Sequence, residues 1–290
     1  GRCCRMEQTP VYDIRTSENA MKTLVALTGV SPDVWKRYFS RESEYAYPED
    51  LIEDVIQKHG KFPVNYTDWT FIYFHVTTSA DQCASFYKHG ILDLVHSYQC
   101  TDSELRKFLD AHDIEIDIDN QTLCYKKRIY DISYGKCPFD SQSEAFARWI
   151  IGHKFYYDFT TCGFLSAYTN SPYGGNVHFR PEILVDIDEL LGTKLSDEWR
   201  ISHKPYEVVA AIKGMDINYV HNKDDSEKDK NLYYLTKAYY NAFESLSEEI
   251  ILLKNGVQIP PDRIMDIRPL HCWKGNQSIF QNHPLRSSAF

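Results

Sequence analysis

Two consecutive segments decide the fold: Phe71-Ile-Tyr-Phe-His-Val-Thr-Thr-Ser79 and, shortly after it, Phe86-Tyr-Lys-His-Gly-Ile-Leu-Asp-Leu94. The first segment is apolar and aromatic, which predicts a β-strand. With a period of two, Tyr73 and His75 project from the same face of that strand. The second segment is a short amphipathic helix that stops at Gly90, a residue suited to the left-handed conformation after a helix. The pattern therefore predicts a strand that delivers a histidine, followed by a helix.

A second motif lies near the C-terminus, in Leu246-Ser-Glu-Glu-Ile-Ile-Leu-Leu-Lys-Asn-Gly256. It predicts a polar entry into a short apolar strand and then a Lys-Asn-Gly turn. A last strand is expected at Ile264-Met-Asp-Ile267. Glu248 and Glu249 stand where this apolar strand begins. A shift of one residue in register would turn the other carboxylate inward, so both remain candidates.

Together these motifs resemble the ADP-ribosyltransferase superfamily, in its His-bearing, PARP/diphtheria-toxin-like branch, which includes bacterial toxin and phage-defence types. The resemblance implies an α+β fold with a split mixed/antiparallel β-sheet core and flanking helices. It also implies that His75 anchors a ribose of NAD, with Thr77 beside it, and that Glu249 is the catalytic carboxylate. NAD is then the substrate, and no metal is required.

The residue types suit this chemistry. Cleavage of the bond between nicotinamide and ribose develops positive charge on the sugar, and a nearby carboxylate stabilises that charge. A neutral histidine can form a hydrogen bond with another hydroxyl. Because the leaving group already carries positive charge, it needs little proton transfer. One well-placed glutamate is therefore expected to be the main catalytic group. We expect Glu249 and His75 to lie on neighbouring strands that line one cleft.

The middle of the chain resembles the superfamily less specifically. Thr160–Tyr168 is expected to form a strand that ends in the loop Thr169–Gly175. The resemblance implies that this strand and loop form the floor and aromatic wall of the nicotinamide pocket, with Ser166, Tyr168 and Tyr173 as candidates. Arg180 is a candidate for a bidentate contact to the pyrophosphate. A salt bridge within the fold is an equally good interpretation of Arg180.

The remaining sequence predicts an N-terminal helical extension over residues 1–66 and a catalytic domain over residues 67–290. In the extension, Ser17 is expected to cap a helix from Glu18 to Leu27, and further helices start at Ser31-Pro32 and Pro48. Elsewhere the pattern predicts helices over Asp102–His112, Ser143–His153 and Leu232–Phe243, a hairpin of Ile114–Ile118 with Thr122–Tyr125, a strand over Tyr206–Ile212 and a charged loop over His221–Asn231.

Composition limits the partners. The net charge of -9 argues against electrostatic binding of nucleic acid over a broad surface. None of the eight cysteines forms a Cys-x-x-Cys pair or has zinc-ligand spacing with a histidine. The sequence contains no run of 18 apolar residues that would suggest a membrane span. We expect a cytoplasmic protein, or one exported by a route that the sequence does not show.

The acceptor of ADP-ribose is left open. Ser247 stands two residues before Glu249, where arginine- or asparagine-modifying toxins carry Glu or Gln, so protein-arginine modification is in doubt. The expected activity is mono-ADP-ribosyl transfer to a macromolecule or small molecule, more readily to a protein or small molecule than to bulk nucleic acid. The alternatives are an NAD glycohydrolase, with water as acceptor, and a non-catalytic NAD- or ADP-ribose-binding or scaffold protein of the same fold.

Overall fold

A computed structural model describes residues 9–270. The helices are α1 (Ser17–Thr28), α2 (Pro32–Phe39), α3 (Pro48–His59), α4 (Ala84–His89), α5 (Leu94–Gln99), α6 (Glu104–Ala111), α7 (Glu144–Tyr156), the single turn α8 (Tyr173–Asn176), α9 (Glu182–Leu191), α10 (Leu195–Ser202) and α11 (Glu227–Phe243). The strands are β1 (Val11–Tyr12), β2 (Thr70–Ser79), β3 (Ile114–Asp117), β4 (Thr122–Tyr125), β5 (Arg128–Asp131), β6 (Cys162–Ser166), β7 (Lys204–Lys213), β8 (Glu249–Leu252) and β9 (Ile264–Pro269). The protein contains both helices and strands, and both sheets have antiparallel strand pairs. The fold class is therefore α+β.

The larger sheet has the strand order β8-β6-β2-β7-β9, and β1 pairs in parallel with β2. Strand β6 is antiparallel to both β2 and β8. The first half of β2 is buried on both of its faces. This burial explains why the segment reads as an uninterrupted apolar run rather than as an alternating one.

The chain divides into two units. Of the described residues, the first unit holds 9–75, 160–168 and 209–265, and the second holds 76–159, 169–208 and 266–270. Neither unit begins or ends at residue 67, the boundary expected from sequence. The physical reason lies in long-range contacts of the N-terminal region: β1 pairs with β2, and α1 and α3 pack against α11.

An aromatic core fills the first unit. The ring of Tyr12 lies 4.7 Å from that of Phe71 and 5.8 Å from that of Tyr234, between ring centroids. The Tyr12 hydroxyl, fully buried, donates to the carbonyl of Tyr234 at 2.8 Å. Strand β1, helix α11 and the start of β2 are thus joined by packing and by a hydrogen bond that satisfies the buried phenol.

The second unit contains the antiparallel sheet β3-β4-β5. Ile114 pairs with Tyr125 and Asp117 with Thr122, so the predicted hairpin is confirmed. Strand β5 was not expected from sequence. The apolar core of this unit is built by β3–β5 and by helices on either side of them in sequence. Its members include Tyr98, Phe155, Trp199, Tyr130, Leu109, Leu123, Ile151, Leu184 and Ile187.

Two helix starts differ from expectation. Helix α1 is capped by Thr16, not Ser17, since the Thr16 side chain accepts from the Asn19 amide. Helix α11 starts at Glu227, five residues before the expected start at Leu232. Ser226 and Asp229 form a reciprocal capping box there. It gives hydrogen-bond partners to backbone amides that would bind only water in a surface loop. The expected charged loop is therefore helical from Glu227 onward.

Candidate functional site

Three adjacent strands of the larger sheet carry three of the predicted residues. His75 lies on β2, Ser166 ends β6 and Glu249 begins β8. We expected His75 and Glu249 on neighbouring strands, and this is wrong, because β6 lies between β2 and β8 and pairs with both. The two residues belong to the same unit and flank one shared strand.

The strand register places His75 and Glu249 on one face of the sheet. Phe74 pairs with Phe164, and Phe164 pairs with Ile250, so these three side chains share a face. His75 follows Phe74 and Glu249 precedes Ile250. Alternation along a strand therefore turns both to the opposite face.

The two residues lie at different levels of that face. Glu249 pairs with Ser166, whereas the antiparallel register sets His75 beside Gly163. Three residues along β6 and two strand spacings across correspond to roughly 14 Å between their backbones. The two residues therefore occupy separate positions on this face of the sheet.

Gly163 lies beside His75 and has no room for a side chain. A Cβ there would stand 2.2 Å from Cε2 of Tyr73, whose ring is fully buried. Glycine at this position thus lets the Tyr73 ring cross over β6.

The imidazole of His75 has a defined tautomer. Its Nδ1 lies 2.8 Å from the carbonyl oxygen of Cys162. Because a carbonyl can only accept, Nδ1 carries the proton and Nε2 is the acceptor of the neutral ring. Burial lowers the pKa of His75, against the opposing effect of the Cys162 carbonyl. The ring is therefore neutral at pH 7.

The carboxylate of Glu249 is held through one oxygen. Oε1 lies 3.0 Å from Nζ of Lys237 and accepts a 2.8 Å hydrogen bond from the Ser247 hydroxyl. No hydrogen bond from residues 9–270 reaches Oε2. The side chain is 14% exposed, so a carboxylate with one anchored oxygen remains within reach of solvent.

Glu248, the alternative to Glu249, precedes β8 and is half-buried. Glu249, not Glu248, pairs with Ser166 in the sheet, at a bulge in β6. The bulge shifts the register at the very position where the sequence left two alternatives.

Ser166 is fully buried. Its hydroxyl donates to the carbonyl of Ser247 at 2.8 Å and accepts from Nδ2 of Asn241 at 2.8 Å. Both hydrogen-bonding roles of this hydroxyl are thus used within the protein.

Sequence reasoning missed Asn241 and Lys237, both on α11. The available signal was their spacing of four residues on the helix that leads directly into the Glu249 strand, a spacing that places side chains on one helix face.

The other predicted ligand-binding residues are dispersed. Tyr168 belongs to the first unit, two residues after β6, and is 44% exposed. Thr77, Tyr173 and Arg180 belong to the second unit. Thr77 is half-buried near the end of β2, and Tyr173 opens α8 with φ of +47°.

The side chain of Arg180 forms hydrogen bonds with the loop that precedes it. Its Nη1 donates to the carbonyls of Gly175 at 2.6 Å and Asn176 at 3.2 Å. Burial lowers the pKa of Arg180, and Arg200 acts in the same direction. One nitrogen of the Arg180 guanidinium therefore stabilises the turn at Gly174-Gly175.

Within residues 9–270, no group of three or more His, Cys, Asp and Glu side chains could hold a metal ion. In the same part of the chain, no helix has the length and apolar character needed to cross a membrane.

Comparison with known proteins found no match: no family model, no curated protein and no solved structure is similar to this chain.

Proposed function

We propose that this chain is an ADP-ribosyltransferase, with the corresponding split-sheet fold, that cleaves NAD and transfers ADP-ribose to a macromolecular or small-molecule acceptor. The observation that carries the proposal is the pair formed by a neutral His75 and a carboxylate, Glu249, anchored through one oxygen on the same face of the sheet. The two sequence motifs that contain these residues also support it.

In the proposed reaction, the bond between the ribose C1′ and the nicotinamide nitrogen breaks. Its electron pair goes to the nitrogen, so nicotinamide leaves as a neutral molecule and the sugar becomes an oxocarbenium-like cation. Glu249 accepts a ribose hydroxyl hydrogen bond at Oε2, and its charge stabilises the cation. The acceptor then attacks C1′ and loses its proton to solvent.

His75 has a separate role in this proposal. Its Nε2 accepts a hydrogen bond from a hydroxyl of the second ribose of NAD, in keeping with the separation of roughly 14 Å between the backbones of His75 and Glu249. Tyr168, in the same unit as His75 and Glu249, is proposed to contact another part of NAD. Because both hydrogen-bonding roles of Ser166 are used internally, we assign it to support of the site.

The test is release of nicotinamide from NAD by the purified protein, with and without cell lysate as a source of acceptor. Glu249→Gln keeps the size of the side chain but removes its charge. We expect turnover to fall by on the order of 100-fold while NAD binding, measured by calorimetry, changes little.

Glu248→Gln is the matched control and should retain most of the activity. The reverse pattern, with only Glu248→Gln inactive, would move the catalytic role to Glu248. Release that lysate does not stimulate, with free ADP-ribose as product, would identify an NAD glycohydrolase. NAD binding without release of nicotinamide would identify a binding protein and end the transferase proposal.

A further inference from the structure

Helix α11 presents two side chains to the strands that carry Ser166 and Glu249. Lys237 and Asn241 are four residues apart and so lie on one face of the helix. Asn241 is fully buried, whereas Lys237 is 29% exposed.

The amide of Asn241 joins three separate segments. Its Nδ2 donates to the Ile14 carbonyl at 3.0 Å and to the Ser166 hydroxyl at 2.8 Å. Its Oδ1 lies 3.4 Å from the Ser247 hydroxyl. Both amide protons are used, and a buried amide that lost these partners would pay a desolvation penalty. The orientation of Asn241 is therefore strongly determined.

The same network fixes the backbone just before Glu249. The Ser166 hydroxyl, oriented by Asn241, donates to the carbonyl of Ser247. The Ser247 hydroxyl has one proton and is closer to Glu249 Oε1, at 2.8 Å, than to Asn241, at 3.4 Å. It therefore donates to the charged carboxylate, which forms the stronger hydrogen bond.

Lys237 holds the carboxylate from the other side. Its Nζ lies 3.0 Å from Oε1 of Glu249 and 5.3 Å from the ring centroid of Tyr233. Burial raises the pKa of Tyr233, Glu249 raises it further, and Lys237 opposes the change. In such a partly dry setting charges interact more strongly than in water.

Two groups thus contact Oε1 of Glu249: Lys237 from α11 and Ser247 from the strand entry. Neither group holds Oε2. Truncation of either group would let the Glu249 side chain rotate among staggered conformers.

We propose that Lys237 and Asn241 are positioning residues for the reaction. Lys237 orients the Glu249 carboxylate through Oε1, and Asn241 fixes the strand entry through Ser166 and Ser247. This inference rests on the proposed NAD-cleaving function and adds the device that presents Oε2 to the ribose.

The test compares steady-state nicotinamide release from NAD by Lys237→Met and by wild type. A misplacement of about 1 Å in a catalytic group can reduce a rate by about 100-fold. We therefore expect kcat to fall by roughly 10- to 100-fold, with KM for NAD within about 3-fold of wild type. Lys237→Arg keeps the charge near Oε1 and should recover most of kcat.

The matched control is Lys228→Met. Lys228 lies on the same helix and forms an ion pair with Glu53 of α3, away from Glu249. It should retain wild-type kcat and KM. If Lys237→Met does not fold, as judged by circular dichroism, Ser166→Ala replaces it, because it interrupts the Asn241 network without removing Lys237.

The outcomes separate the two proposals. If wild type is active and Lys237→Met behaves like Lys228→Met, the positioning role is wrong and the proposed function stands. An increase in KM alone would make Lys237 an NAD-binding residue and overturn the positioning role. If neither wild type nor Lys228→Met releases nicotinamide, the proposed function fails and the positioning role fails with it.

Discussion

At the scale of single residues, the sheet face carries two polar groups with different constraints. His75 is constrained by the backbone carbonyl of Cys162, which sets its tautomer, and by burial, which lowers its pKa. Glu249 is constrained by side chains, one from α11 and one from its own strand entry. Such a pair, one neutral acceptor and one anchored carboxylate, suits the binding and cleavage of a charged glycoside.

His75→Ala should weaken NAD binding more than it slows turnover. The proposed hydrogen bond to a ribose exists in both ground and transition states, so its loss raises KM, by about 10-fold, with little change in kcat. Steady-state nicotinamide release measures both. The control is His59→Ala, which removes a histidine at the end of α3 that lies beside Tyr38 of α2. A fall in kcat at constant KM would assign His75 to the chemical step instead.

The same histidine predicts a pH dependence of binding. Protonation would turn Nε2 from an acceptor into a donor. Since the pKa of His75 is lowered from its ordinary value of about 6.5, NAD affinity of the Glu249→Gln protein should be constant from pH 8 to about 6.5 and weaken only below that. Calorimetric titrations over this range, compared with those of His75→Ala, provide the measurement.

At the scale of elements, α6 and α10 form a reciprocal pair within the second unit. His112 follows α6 and lies 2.8 Å from Glu198 of α10, while His203 follows α10 and lies 3.5 Å from Glu104 of α6. Each histidine Nδ1 is also bonded to the carbonyl four residues earlier in its own helix. In each histidine, Nδ1 thus faces the end of its own helix and Nε2 faces a glutamate of the other helix.

The contact between His112 and Glu198 predicts a contribution to stability that falls as pH rises. Burial by itself would lower the pKa of His112, but the Phe108 carbonyl, Glu198 and Asp113 outweigh it and raise the pKa. A raised folded-state pKa contributes stability that is complete below about 6.5 and lost as pH rises through the folded value. His112 therefore contributes a decrease in melting temperature between pH 6 and 8. In differential scanning calorimetry, His112→Gln and Glu198→Gln should each lower the melting temperature more at pH 6 than at pH 8, relative to wild type. An unchanged slope in both variants would contradict this assignment.

At the scale of the whole molecule, the net charge of -9 sets the long-range field. An acidic surface repels phosphate backbones, and non-specific nucleic-acid binding depends almost wholly on phosphate neutralisation. The acceptor is therefore expected among proteins and small molecules.

Filter binding with random single- and double-stranded oligonucleotides tests this expectation. At physiological salt we expect no binding tighter than about 10 µM, and little change in signal between 50 and 200 mM salt. Tight binding with a steep salt dependence would reveal a local basic groove that the net charge conceals, and would make nucleic acid the acceptor to examine next.

The sequence by itself determined features that depend on neighbours along the chain. The β2 strand, the helix ending at Gly90, the β3–β4 hairpin and the strand beginning at Glu249 all follow from local periodicity and turn residues. His75 and Glu249 became candidates through the family resemblance that these local motifs carry.

Only the tertiary structure decided which strands meet and which side chains hold the site. Strand β6 lies between β2 and β8, and its bulge sets the register of Glu249; neither follows from residues close to them in sequence. In the sequence, nothing distinguishes Lys237 and Asn241 from the other residues of the predicted helix. Their contacts with Glu249, Ser166 and Ile14 join residues up to 227 positions apart. Such contacts arise from long-range packing, which local propensity does not encode.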